Sequence, residues 1–179
     1  MSNVIERLEE IRNILKLNGQ KEALEQVEDV IKNINDKEKV RNLDNSLSIK
    51  DFGNLHLPMY NGNWWNIINE TKREVQQLYF VLESNDPDLE KYYLDMLKEM
   101  IILVKQSKDE KLIVRLEQII YNYNSPVMIK DLIQICKLQK NRPIKYVSKK
   151  YGSWKELVEE LYYKANSYLI KVEKENKLI

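Results

Sequence analysis

With 179 residues, 43% of them hydrophobic, the chain is long enough to enclose a real core, as one domain or as two closely packed helical units. A charged fraction of 32% with four glycines and four prolines favours long solvated helices over a β-sandwich or a disordered chain, and a net charge of +1 leaves any electrostatic binding to local segregation. The lack of any uncharged apolar run of about 18 residues argues against a membrane span, and a single cysteine excludes an intramolecular disulfide. Met1 to Glu10 carries charges where a signal peptide needs an apolar block, so a soluble cytosolic protein is expected.

In chain order, the first helix is predicted to start near Ser2 or Asn3 on the stripe Val4/Ile5, Leu8, Ile11 and Leu15. Asn18-Gly19 should stop it, because glycine tolerates a positive φ. The second helix, on Ala23/Leu24, Val27, Val30/Ile31 and Ile34, then forms an antiparallel hairpin with it. From about 35 to 63 the period disappears and a long loop is predicted, with one short helical turn within Arg41–Ser48. Leu55, Leu57, Met59 and Tyr60 are expected to pin that loop down. A third helix starts at Trp64 with Asn63 as its cap, on Trp64, Ile68, Thr71, Val75, Leu78 and Leu82.

Asp86-Pro87 should open the most apolar helix, running from Asp88 to Lys105. Its residues Leu89, Tyr93, Met96, Leu97, Met100, Leu103 and Val104 share one face, and Leu94, Ile101 and Ile102 widen it. So broad an apolar face marks it as the central helix, packed on more than one side. A partner helix from about Asp109 to Tyr123 and another started by Ser125-Pro126 follow. Pro143 opens a shorter segment, Ile144 to Tyr151, stopped by Gly152, and Ser153-Trp154-Lys155-Glu156 fits a capping box for the last helix. No strand-like alternation is present. The prediction is an all-α bundle of about seven helices, with a bundle over 1–124 and a C-terminal subdomain over 125–179.

Chemistry-bearing residues are few. His56 is the lone histidine, and Cys136 lies on an apolar stripe, where a free cysteine behaves as a small hydrophobe. Zinc binding needs clustered Cys and His, and di-iron bundles need Glu-x-x-His pairs. The carboxylate groups Glu6/Glu9/Glu10, Glu22/Glu25/Glu28/Asp29 and Glu156/Glu159/Glu160 have no histidine among them and are read as solvated faces. The four glycines are isolated, so neither a Walker loop nor a dinucleotide fingerprint exists. No catalytic residue, metal site or cofactor is expected, and a non-enzyme is the reading.

Two stretches point to recognition instead. Phe52 to Trp65 is aromatic and rich in Asn and Gly, the composition of a protein-binding surface, with His56, Met59, Tyr60, Asn61, Asn63 and Trp65 as candidates. Trp64 and Trp65 lie about 100° apart on a helix, so the stripe that takes Trp64 leaves Trp65 elsewhere. The second stretch, Leu132 to Lys155, holds Lys137, Lys140, Arg142, Lys145, Lys149, Lys150 and Lys155 and no acid. Its layout is compatible with a helix-turn-helix, with Arg142, Lys145, Lys149, Lys150 and Lys155 as candidates for phosphate contact.

Residues 1 to about 65, with paired charged helices, Asn18-Gly19 and Asn61-Gly62-Asn63-Trp64-Trp65, resemble small bacterial immunity proteins that partner secreted toxins. That likeness implies a non-catalytic inhibitor in the bacterial cytosol that occludes a partner protein such as a toxin. Asn141 to Trp154, with its Gly152-Ser153-Trp154, resembles the small repeats associated with homing endonucleases. This second likeness implies DNA contact through Lys149, Lys150 and Lys155, and makes a nucleic-acid-binding accessory protein the alternative function.

Overall fold

A computed structural model describes residues 2–143 and 147–177. The order is α1 (Ser2–Leu17), α2 (Lys21–Lys32), α3 (Lys37–Ser46), a 3-10 turn (Phe52–Asn54), α4 (Trp64–Glu83), α5 (Leu89–Ser107), α6 (Glu110–Tyr121), α7 (Pro126–Gln139), β1 (Val147–Ser148), β2 (Gly152–Ser153) and α8 (Trp154–Lys177). The protein is all-α apart from one two-stranded hairpin. Among the described residues no helix is long and apolar enough to cross a membrane. The chain divides into two compact units between Leu82 and Glu83. The sequence reading places the division after α6, at 124/125; in the second unit α5 packs on α6 and α6 on α7.

In the first unit, α1 buries Val4, Leu8, Ile11 and Leu15 and α2 buries Ala23, Val27 and Val30. The hairpin between them turns at Gly19, whose φ is +68°, and the Asn18 side-chain amide donates to the Ile14 carbonyl at 2.7 Å. The stretch predicted as a long loop from 35 to 63 contains the ten-residue helix α3. Asp36 caps it by accepting from the Glu38 and Lys39 amides, and Val40 and Leu43 are buried one turn apart. The irregular connection therefore begins only at Leu47. Helix α4 buries Trp64, Ile68, Thr71, Val75 and Leu78, together with Tyr79 and Phe80. Polar ties join these helices. Arg7 donates to Glu70 at 2.6 Å, Gln26 to Ser46 at 2.9 Å, and Lys72 to both the buried Asp44 carboxylate at 2.9 Å and its carbonyl at 2.6 Å.

In the second unit, Leu89, Tyr93, Met96, Leu97, Met100, Ile101, Leu103 and Val104 of α5 are buried, Leu94 is half-buried and Ile102 is exposed. Helix α5 packs on α6 and α8, and α8 also packs on α7. Its start differs slightly from expectation. Asp86 accepts from the Asp88 amide at 2.9 Å, so Asp86-Pro87 makes the turn before the helix, and regular helix begins at Leu89. Asp109 caps α6 through the Leu112 amide, and Pro126 takes the first turn of α7. Glu83 and Ser84 are fixed to α8 by Lys164, Ser167 and Lys174.

The short helix that the sequence predicts over Ile144 to Tyr151, and with it a helix-turn-helix, does not form over the described residues. Residues 144–146 lie outside those described, but 147–153 form an antiparallel hairpin with Val147 opposite Ser153 and Ser148 opposite Gly152. Two side-chain devices explain it. The Ser148 hydroxyl accepts from the Lys150 and Tyr151 amides at 3.3 and 3.1 Å, folding the turn, and Gly152 closes it at φ +88°. The same glycine that reads as a helix stop is the closing residue of a three-residue hairpin loop.

Candidate functional site

The loop from Leu47 to Asn63 is held at several points. Leu47 and Phe52 are buried, and the Phe52 carbonyl accepts from the buried Trp64 indole N–H at 2.7 Å. Further along, the His56 carbonyl accepts from Gln20 at 2.8 Å and the Met59 amide donates to the Asn18 side-chain oxygen at 2.6 Å. The loop is thus fastened to the α1–α2 turn on one side and to the first turn of α4 on the other. The residues expected to pin it play a smaller part. Leu55 and Leu57 are half-buried, and Met59 is 73% exposed.

The six loop candidates divide by role. Tyr60 packs edge-on against Trp64, ring centroids 6.0 Å apart, and lies where a Cβ at Gly62 would meet its phenol. Asn63 accepts from the Asn66 amide at 3.1 Å and so caps α4. His56, Met59, Asn61 and Trp65 face solvent, Trp65 with 51% of its surface. Leu17, 71% exposed, precedes the Asn18 that holds the Met59 amide; the sequence reading does not name it, and it lies two positions past Leu15, off the buried stripe of α1.

The second candidate group sits where α7, the hairpin and α8 meet. Ser148 donates to Glu99 at 3.0 Å, and the buried Trp154 indole donates to the Gln139 carbonyl at 2.8 Å, tying the hairpin root to the last turn of α7. Ser153 accepts from the Glu156 amide at 3.2 Å, the predicted cap of α8. Arg142 is held by Asp109 at 3.0 Å and Gln139 at 3.2 Å, and Lys150 by Asp95 at 3.4 Å while lying over the Tyr151 ring. Lys149 and Lys155 are exposed, as are Lys137 and Lys140, and none of these four forms an ion pair among the described residues. Lys145 lies outside the described residues.

Elsewhere the reactive inventory is muted. Burial pushes the Cys136 thiol up to about 12, so it carries no thiolate near neutral pH. Among the described residues no group of three or more His, Cys, Asp and Glu is placed to hold a metal ion. Two surface depressions have charged residues in their walls. One of about 280 Å³ is lined by Asn3, Glu6, Arg7, Glu10 and Glu74, and a second of about 230 Å³ by Arg12, Glu28, Ile31 and Lys32. Comparison with protein-family profiles, curated proteins and solved structures gives no match to this chain.

Proposed function

We propose that this chain is a non-catalytic protein-binding protein, of the immunity or antitoxin type, that acts by covering a functional surface of a partner protein. The observation that carries this reading is the fastened loop: Met59 and Trp65 stand out into solvent while the backbone beneath them is hydrogen-bonded at Phe52, His56 and Met59. Large apolar side chains on a backbone that is already ordered are the anchors around which protein interfaces concentrate their affinity. Leu17, exposed next to the Asn18 that holds the Met59 amide, adds apolar surface, and exposed His56 and Asn61 supply a polar rim. Occlusion of this kind needs no reactive group.

The test is affinity capture from the native host after nuclease treatment, comparing the native chain with a Met59→Ala/Trp65→Ala variant whose helical circular dichroism is unchanged. One protein retained by the native chain, and lost with the variant, supports the proposal. Equal retention by both, or no protein retained, overturns it.

A further inference from the structure

We propose that the end of the second unit formed by the last turn of α7, the β-hairpin and the first turn of α8 binds the phosphate backbone of double-stranded nucleic acid without reading its sequence. Three of the acids at this end hold a group within it: Asp95 holds Lys150, Glu99 holds Ser148 and Asp109 holds Arg142, while Glu156 is exposed in the first turn of α8 beside Gly152. Lys137, Lys140, Lys149 and Lys155 remain exposed and without an ionic partner among the described residues. The Trp154–Gln139 bond brings the neighbours Lys155 and Lys140 to one junction, and Lys137 lies one turn before Lys140. Lys149 and Lys150 occupy the hairpin turn, whose fold is set by Ser148. The positive charge is therefore presented on rigid elements.

The choice of partner follows from the side chains that are absent from the exposed set. Protein interfaces gather their affinity on Trp, Tyr and Arg and are depleted in Lys. In the described part of this segment every such anchor is committed internally: Trp154 is buried, Tyr151 lies beneath Lys150 and Arg142 is clamped by Asp109. Leu138 and Val147 are exposed but aliphatic, not of the aromatic or arginine kind. Single strands are held by stacking bases on free aromatic faces, and the described residues offer none here. What remains is a set of lysine point charges, which neutralises phosphates and releases their counterions. With no residue reaching for base edges, the binding is blind to sequence.

The experiment uses the full chain and fluorescence anisotropy with a labelled 20-base-pair DNA duplex, its RNA counterpart, the single strand and a polyglutamate competitor. The expected result is duplex binding whose affinity falls roughly a hundred-fold between 50 and 200 mM salt, the effect of about four phosphate contacts. Comparison of the two duplexes assigns the source. Lys149→Glu/Lys155→Glu should weaken binding by at least about ten-fold and reduce the log–log salt slope by about 2. The neutral pair Lys149→Gln/Lys155→Gln should do the same in smaller measure and guards against a fold defect in the reversed variant. Lys21→Glu/Lys32→Glu, an equal charge change in the first unit, should leave affinity and slope unchanged. No duplex binding at 50 mM salt, salt-independent binding, preference for the single strand or displacement by polyglutamate at equal charge overturns the proposal.

Discussion

The Lys164 ammonium meets the Glu83 carboxylate at 2.5 Å, with only 13% and 1% of their side-chain surfaces exposed, and Ser167 donates to the other carboxylate oxygen at 3.0 Å. A buried pair of this kind adds little over an apolar pair, yet removing one member strands the other. Lys164→Met should therefore cost on the order of 3 kcal/mol, and adding Glu83→Leu should recover most of it. Urea unfolding followed by circular dichroism measures both. Equal stability of the single and double variants would show that the charge is not isolated.

The adjacent tryptophans should behave as opposites. Trp64 is buried and donates to the Phe52 carbonyl, so Trp64→Ala should cost about 3 to 5 kcal/mol and open the Leu47–Asn63 loop to proteases. Trp65→Ala, at an exposed position, should change stability by about 0.5 kcal/mol or less. Urea unfolding with limited proteolysis reads the pair.

Much of this contrast is legible in the sequence, because helical geometry separates neighbours by a large angle and the four-and-three stepping from Trp64 chooses which one turns inward. The same periodicity finds α5, whose predicted stripe is largely buried. It fails on α3, where Val40, Leu43 and Leu47 are spaced for a helix but stand among polar residues; Asp36 was the overlooked start signal. It fails again at the hairpin, because Ser148 and Gly152 act through backbone geometry that hydropathy does not record. The neutralisation of Arg142 by Asp109 lies beyond any local window, since the partners are 33 positions apart.

Gly152 carries two constraints. Its φ is +88°, and a Cβ there would collide with the Glu156 carboxylate. Gly152→Ala should destabilise by about 1 to 2 kcal/mol for the left-handed backbone, because the Glu156 carboxylate, at the end of an exposed flexible side chain, swings aside at little cost. Glu156→Ala in the same chain should therefore restore little of the lost stability. Thermal unfolding of the single and double variants checks both.

Alkaline pH should weaken the second unit. Burial raises Cys136 from 9.0 to about 12; burial also raises Tyr93, and burial followed by the Glu90 hydrogen bond raises Tyr168. Each group holds its proton more tightly folded than unfolded, so their contribution is complete below about pH 9 and declines as pH rises through the folded values. Cys136→Ala should flatten the early part of that decline, measured as urea midpoints between pH 8 and 11. A disulfide reagent at pH 8 should leave the native thiol unmodified and label it after denaturation.

The packing of α8 on α5 has a consequence for biosynthesis. During translation α5 leaves the ribosome well before α8, so the part of its apolar surface that α8 covers stays open while α6, α7 and the hairpin are made. A chain halted before Trp154 would display α5 uncovered, a surface that chaperones and proteases recognise. The second unit therefore passes through its most vulnerable state late in synthesis, and the arrival of α8 ends it.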